Sequence, residues 1–586
     1  MRIQLELTRR TAHTMLPYNL FKGGCRRPIF IKKSLPCNLL QRNGRRGMHG
    51  ASMPILRKQI DSGLENIEEE ELYRYTRHRW LYNESEQLAN RYRKFNISNL
   101  VEVSVNAAGN GAKSCVEIIK CVEGQRNKAM IMKMDNGTEV VAKLPHPNAG
   151  PAFYTTSSEV ATRSFLREVV KFPIPKVLSY SADGDNSVGA EYIIEEKAVG
   201  EPLEKFWPRW DMESKRNLVT QLVDLETDLT AVTFKEHGCI YFKKDLKDKG
   251  VDASTLQGSF TPLEAKAFVG IESDRWAMGP LTEPRLWQGE REKMALQRGP
   301  WSDPLSYMRS IAENELEWMV LHGKAQIKPY DRLGDPEYED YDFVLRAFLR
   351  AWPKLDTRPF PTSLSHPDLG LSNVYVDPYT KKITCITGWQ SASASEPFFQ
   401  SELPSMLVQY GSWFSRHEKL AAAARNNDFT PYLADHYRNI KSVKNEEHWA
   451  AVNIQNRSLL YDPVSLIPGA LSRNDVFPLQ RVMVDIGAHW DMITAAPCPC
   501  CVAATKGVRK QIARSGEFHD LAVAYAEACH NEGKILKGGI VRAEDFSVVE
   551  RENREAVEAL VGEFQREGTR RWLERLWRHI FQREMN

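Results

Sequence analysis

The chain has 586 residues, 42% hydrophobic and 10% aromatic, enough for a sizeable core and too many for wholesale disorder. No run approaches the roughly 18 uninterrupted apolar residues of a membrane span, and a net charge of +3 gives no global reason to expect nucleic acid as partner. That balance hides a basic start: residues 1–50 hold eleven Lys or Arg against one acid, Glu6, a net of +10 that leaves −7 on the other 536.

Such an acid-poor leader, with Gly, Pro and hydroxyl residues, reads as a mitochondrial transit peptide over 1–50. A disordered basic tail, or a true start at Met48 or Met53, stays open, because Ser is sparse and Ile3, Leu5 and Leu7 alternate as a strand would. Ten scattered cysteines form no disulfide framework and suit a reducing compartment. The Cys498-Cys500-Cys501 cluster lacks the second ligand pair that zinc needs, so buried or loop thiols are the better reading.

Residues 55–100 read as a connecting arm with helices, anchored by Trp80, Leu81, Leu88 and Tyr92. Strand signals then crowd together. Cys115–Glu123 alternates, Lys128–Met134 follows, Asp135-Asn136-Gly137 makes a hairpin turn, and Thr138–Leu144 is the third strand. Ser157 or Ser158 is placed to cap a helix over Glu159–Val170. Lys176–Tyr180 and Glu191–Glu195 complete a small five-stranded sheet with one helix over 101–198.

From about residue 199 to 540 the chain reads as helical. Leu218, Leu222, Leu225 and Leu229 recur at helical spacing, as do apolar residues in Ser306–His322 and Tyr341–Trp352. Short strand-like pieces at Asn373–Val376 and Ile383–Thr387 interrupt this pattern. A helical extension over 541–586 ends in a stripe of Trp572, Leu573, Leu576, Trp577, Ile580 and Phe581 flanked by arginines. The stripe suits docking onto the fold better than contact with a membrane surface, which remains the alternative.

The sharpest chemistry lies in His366-Pro367-Asp368 and, five residues beyond the aspartate, Asn373. Phosphoryl transfer needs a carboxylate to orient an attacking hydroxyl and a short oxygen ligand on a divalent cation beside it. Asp368 supplies the first, Asn373 the second, and His366 braces the loop. Lys143, at a strand end, can pair with phosphates, and Glu159 in the next helix can hold it in place.

This ordered set resembles the aminoglycoside phosphotransferase group of the protein-kinase-like fold. More closely, Asp135–Ala161, Phe268-Val269-Gly270, Arg298–Trp301, Leu364–Asn373 and Trp389-Gln390 resemble its branch of proteins like altered inheritance of mitochondria protein nine. The resemblance implies an α+β, two-lobe fold. It has a small antiparallel five-stranded N-lobe with one helix (101–198) and a large, mainly helical C-lobe (199–540). It further implies ATP and magnesium as cofactors and a small-molecule hydroxyl as acceptor. Asp368 is then the catalytic base with His366 beside it, Lys143 and Glu159 are the nucleotide-binding ion pair, and Asn373 is a magnesium ligand. Gly124 belongs to the phosphate loop and Glu196 to the adenine-binding hinge.

One position departs from that pattern. The family usually carries Ile-Ile-Asp-Trp-Gln, whose Asp is the main magnesium ligand, whereas here Gly388 precedes Trp389-Gln390. Glycine offers no side-chain oxygen, and Glu396, eight residues on, is a poor substitute. Two expectations follow: a phosphotransferase impaired at its metal site, or a non-catalytic pseudokinase that binds nucleotide or a partner. An aspartate at 388 should strengthen magnesium–ATP binding if that register holds.

Overall fold

The computed structural model describes residues 53–586 apart from 61–62, 252, 254, 261–268, 324–337, 355–360, 409–429, 455–456, 472–475, 500–515, 517–518, 521 and 530–533; beyond 562 it describes only 570, 574, 577, 578 and 580. The leader, Cys500, Cys501 and most of the terminal apolar stripe therefore lie outside the described residues.

Period-two burial positions the first half of the site. In β5 (Asn127–Met134), Lys128, Met130, Met132 and Met134 turn inward; in its hairpin partner β6 (Glu139–Pro145), Val140, Ala142 and Leu144 do the same. The methionines, Val140, Ala142 and Leu144 share one core with Leu100, Ile97 and Ala108 of the Ile97–Ala108 helix. Lys143, one residue out of phase, therefore points to the opposite face. Gly137, at φ +84°, makes the turn between them.

The full sheet has seven strands, which corrects the five-stranded expectation. Besides β5 and β6 it contains β1 (Ile55–Ile60), β2 (Gly63–Asn66), β4 (Cys115–Lys120), β7 (Val177–Ser181) and β8 (Tyr192–Glu196), in the order β2-β1-β4-β5-β6-β8-β7. The arm expected to be helical thus contributes two strands, and β1 runs parallel to β4 rather than antiparallel. Further along that arm, β3 (His78–Trp80) pairs with β18 (Ile540–Arg542).

The helix carrying Glu159 spans Tyr154–Phe165 and continues as a wider turn over Leu166–Val170. It starts before the expected serine caps. Phe153 sits at φ +68°, and its N–H donates to Glu191 Oε1 at 2.8 Å, so a distant carboxylate replaces the local cap. Ser157 instead donates to Asp245 at 2.9 Å.

The later chain is helical only in part. β10 (Val232–Phe234), β11 (Cys239–Phe242), β12 (Thr255–Phe260), β13 (Val269–Gly279), β14 (Thr362–Leu364) and β17 (Ala394–Ser395) form a second, six-stranded sheet in the order β11-β13-β12-β10-β14-β17. Its core residues Phe234, Leu256 and Trp276 pack on Ala161 and Phe165 of the Glu159 helix. Ten of that helix's twelve residues are buried as a result.

The helices over Met212–Thr230, Pro304–Trp318 and Tyr338–Ala351 supply the remaining apolar layers, as their spacing predicted. Trp577 and Ile580 of the terminal stripe are buried against Phe546 and Val549, so this part of the stripe is taken up by the fold. Among the described residues no helix is long and apolar enough to cross a membrane.

Candidate active-site cleft

Strand pairing forces two loops together. β14 leads into the Ser365–Asn373 loop, which exits into β15 (Val374–Val376); β16 (Ile383–Ile386) leads into Thr387–Ser391, which exits toward β17. β14 pairs with β17, and β15 pairs with β16 and with β9 (Glu201–Pro202). The two loops must therefore run side by side. The Thr387 N–H donates to the Asn373 carbonyl at 2.9 Å.

His366 joins them. Its Nδ1 accepts from the Asp368 N–H at 3.1 Å, which leaves Nε2 to donate to the Thr387 carbonyl at 2.7 Å. Burial lowers its pKa to about 4, so the ring is neutral and this tautomer holds. Trp389 packs edge-on against it at 4.5 Å. Asp368 is exposed at the loop tip, where its Oδ1 accepts from Ser405 Oγ at 2.6 Å. Asn373 Nδ2 folds back to donate to the Asp368 carbonyl at 2.8 Å.

Across the chain, Lys143 Nζ donates to both oxygens of Glu159 at 2.6 and 2.8 Å. Arg163, one turn on, lies 3.5 Å from Glu159 and 2.5 Å from Glu195. Burial works against the Arg163 cation, but Glu195 and Glu159 more than offset it and hold its pKa above the ordinary value. Asp245, which accepts from Ser157 and from Tyr180 at 3.1 Å, ties the same helix to the second sheet and to β7. The helix is locked in the position that forms the Lys143–Glu159 pair.

Gly124 lies in the turn between β4 and β5, which is pinned from below. Glu123 is buried between Lys120 at 3.1 Å and Lys128 at 2.9 Å, and burial lowers the Lys128 pKa to about 8. Glu196 ends β8, and its carboxylate accepts from the Lys176 N–H at 3.0 Å. Two partners escaped sequence reasoning: Ser405 on Asp368, and Gln390, which reaches Asn127 at 3.1 Å and Ala149 at 3.2 Å. Neither contact has a local sequence signal.

Gly388 sits at φ +86°, and a Cβ built there would meet the Asn373 carboxamide at 2.7 Å. Glu396 is no substitute, because it is buried and bonded to His237 Nδ1 at 2.9 Å. Among the described residues no group of three acids, histidines or cysteines can hold a metal. Of the two magnesium ligands that the resemblance implies, the chain keeps Asn373 and lacks the carboxylate at 388. Against the gain in magnesium–ATP binding expected of an aspartate at 388 stands the left-handed backbone there. Gly388→Asp should destabilise the chain by about 1–3 kcal/mol through its left-handed backbone and leave ATP affinity indifferent to magnesium. Calorimetry at matched ATP, with and without the cation, checks it.

The seven-stranded sheet carries Lys143 of the Lys143–Glu159 pair, and the loop between β14 and β15 carries Asp368 and Asn373, the residues that the resemblance to the protein-kinase-like class implies. No protein-family model matches the chain. A subtelomeric hrmA-associated cluster protein of Aspergillus fumigatus is 30% identical over 439 residues, covering 66% of this chain and 82% of that protein. Altered inheritance of mitochondria protein 9 of Yarrowia lipolytica is 28% identical over 328 residues, 52% of this chain and 55% of that protein. The aminoglycoside phosphotransferase APH(2")-IIa, solved with streptomycin and ATP, has a TM-score of 0.34 at 11% identity over 66% of this chain and 95% of its own. The chain belongs to the family of these fungal relatives, the proteins like altered inheritance of mitochondria protein 9. The mitochondrial designation of several relatives supports a mitochondrial location for this chain as well.

Proposed function

We propose that this chain is a non-catalytic member of its family, a mitochondrial pseudokinase that keeps the lysine–glutamate pair of a nucleotide site and acts through a bound nucleotide or a protein partner. The observation that carries this reading is Gly388 at φ +86°, which offers no carboxylate where the metal ligand belongs and strains any side chain placed there. A cation that bridges transferring phosphates is worth several kcal/mol of barrier, and each ~1.4 kcal/mol is tenfold in rate. The basic leader fits import as a transit peptide.

A second reading, phosphoryl transfer to a small-molecule hydroxyl, draws on two features. The Lys143–Glu159 pair is fully formed, and Asp368 is exposed with a hydroxyl already on its Oδ1. In that reading Asp368 orients the acceptor while His366 fixes the loop.

An ATP titration with and without magnesium, followed by a phosphotransfer assay over pooled metabolites, separates the two. The non-catalytic reading expects an affinity that magnesium changes less than twofold, and no turnover. Magnesium-dependent turnover abolished by Asp368→Ala would establish the enzyme instead.

A further inference from the structure

We infer that Gln390 is a clasp that holds the cleft shut at its phosphate end and that must open before a nucleotide enters. The inference rests on the reading of this region as a nucleotide site. Gln390 Oε1 accepts from Asn127 Nδ2 at 3.1 Å, and its Nε2 donates to the Ala149 carbonyl at 3.2 Å. One carboxamide thus joins the first residue of β5 and the β6–helix connection to the loop that contains Gly388.

Register shows what the clasp spans. Asn127 pairs with Pro145 on β6, two residues beyond Lys143, and Gly124 lies against the Asn127 carboxamide. The strand that leaves the turn over the phosphate position is therefore bonded directly to the loop that contains Gly388. A triphosphate lying between them would have to displace that bond.

The clasp residue is held in place from its own side. Trp389 is buried, its Nε1 donates to the Ile386 carbonyl at 3.1 Å, and its ring packs on Phe172 at 5.3 Å. Gly388 at φ +86° and Ser391 at φ +64° bracket the Trp389-Gln390 pair. A non-glycine residue in the left-handed region persists only where its surroundings impose it. Gln390 is therefore presented to the opposite segment by a preset loop.

Two neutral hydrogen bonds bias the closed form by about tenfold. The apparent affinity for a ligand of the open form is reduced by the same factor. In the full chain, Gln390→Ala should bind ATP about tenfold more tightly and speed amide exchange over residues 124–128 by a similar factor. Asn127→Ala, which removes one of the two bonds, should give about a threefold gain. Gln390→Glu keeps the acceptor for Asn127 but sets a carboxylate against the Ala149 carbonyl, so it should also open the cleft and serves if the alanine variant folds poorly. Unchanged or weaker ATP binding with unchanged exchange overturns the clasp, as does an absence of ATP binding by every form. Tighter binding without turnover supports both the clasp and the non-catalytic reading. Tighter binding with new magnesium-dependent turnover supports the clasp and overturns that reading.

Discussion

Glu159→Ala is expected to cost the fold about 3–5 kcal/mol, as measured by the shift of a urea unfolding midpoint at constant slope. Glu159 is buried and serves two cations at once, Lys143 at 2.6 Å and Arg163 at 3.5 Å. Removing the carboxylate leaves the Lys143 ammonium enclosed with no counter-charge, while Arg163 keeps Glu195 at 2.5 Å. The helix cannot swing away to bring water in, because Phe165 is wedged against Phe234 and Trp276 and Ser157 is bonded to Asp245. The uncompensated charge is therefore a cost to the whole fold rather than to one flexible element.

The companion variant separates charge burial from packing. Lys143→Met with Glu159→Leu removes both charges and keeps apolar volume. An excised ion pair is often near neutral or stabilising, so the double variant should recover most of what Glu159→Ala loses. A loss below about 1 kcal/mol for Glu159→Ala would mean that the pair is solvated and the helix loosely held. Lys143→Met alone should cost less than Glu159→Ala, because Glu159 still has Arg163.

The parts of this structure that were legible in the sequence are those whose partners are near neighbours. β5 and β6 alternate cleanly and meet across a four-residue turn, so both strands and the phase of Lys143 can be read directly. The Asp368–Asn373 spacing is legible for the same reason, since both residues belong to one loop.

What stayed hidden depends on distance along the chain. β1 is a charged segment that becomes a strand only by lying parallel to β4, some sixty residues away. β12 and β13 lack alternation and are held by β10 and β11 in a sheet with a bulge at Thr255/Leu256. The Tyr154–Phe165 helix starts early because Glu191, 38 residues on, caps it. Gln390 and its partner Asn127 are 263 residues apart. Gly388 was legible as a missing carboxylate, but its left-handed backbone and its contact with Asn373 were not. Local pattern reports which groups are present; the cleft is made by non-local pairing of segments that give no local signal.

Acid should weaken this protein well above the usual range of carboxylate titration. Burial holds four histidines neutral: the pKa falls to about 4 for His78 and His366 and to about 3 for His146 and His448. Lys128 adds to the effect at His146, and Lys441 does so at His448. A folded-state pKa below the unfolded value of about 6.5 means that the unfolded chain binds more protons between the two. The stability these groups contribute is therefore complete above pH 6.5 and is lost as pH falls. At pH 5 each costs about 2 kcal/mol relative to neutrality. Four carboxyls work in the other direction, since burial raises Glu527 to about 7 and Asp462 to about 6 and also raises Glu191 and Asp485. Ionising them in the fold is unfavourable at pH 7, and for Glu527 and Asp462 protonation at pH 5 returns about 3–4 kcal/mol together. The four histidines outweigh Glu527 and Asp462, and these six groups together should lose about 4 kcal/mol from pH 7 to 5, a large share of a typical stability of about 5–15 kcal/mol. Urea midpoints across that window measure it. His366→Gln, which keeps a donor for the Thr387 carbonyl, should reduce the acid loss by about 2 kcal/mol. A stability that stays level or rises from pH 7 to 5 would mean that these imidazoles are not held neutral by the fold.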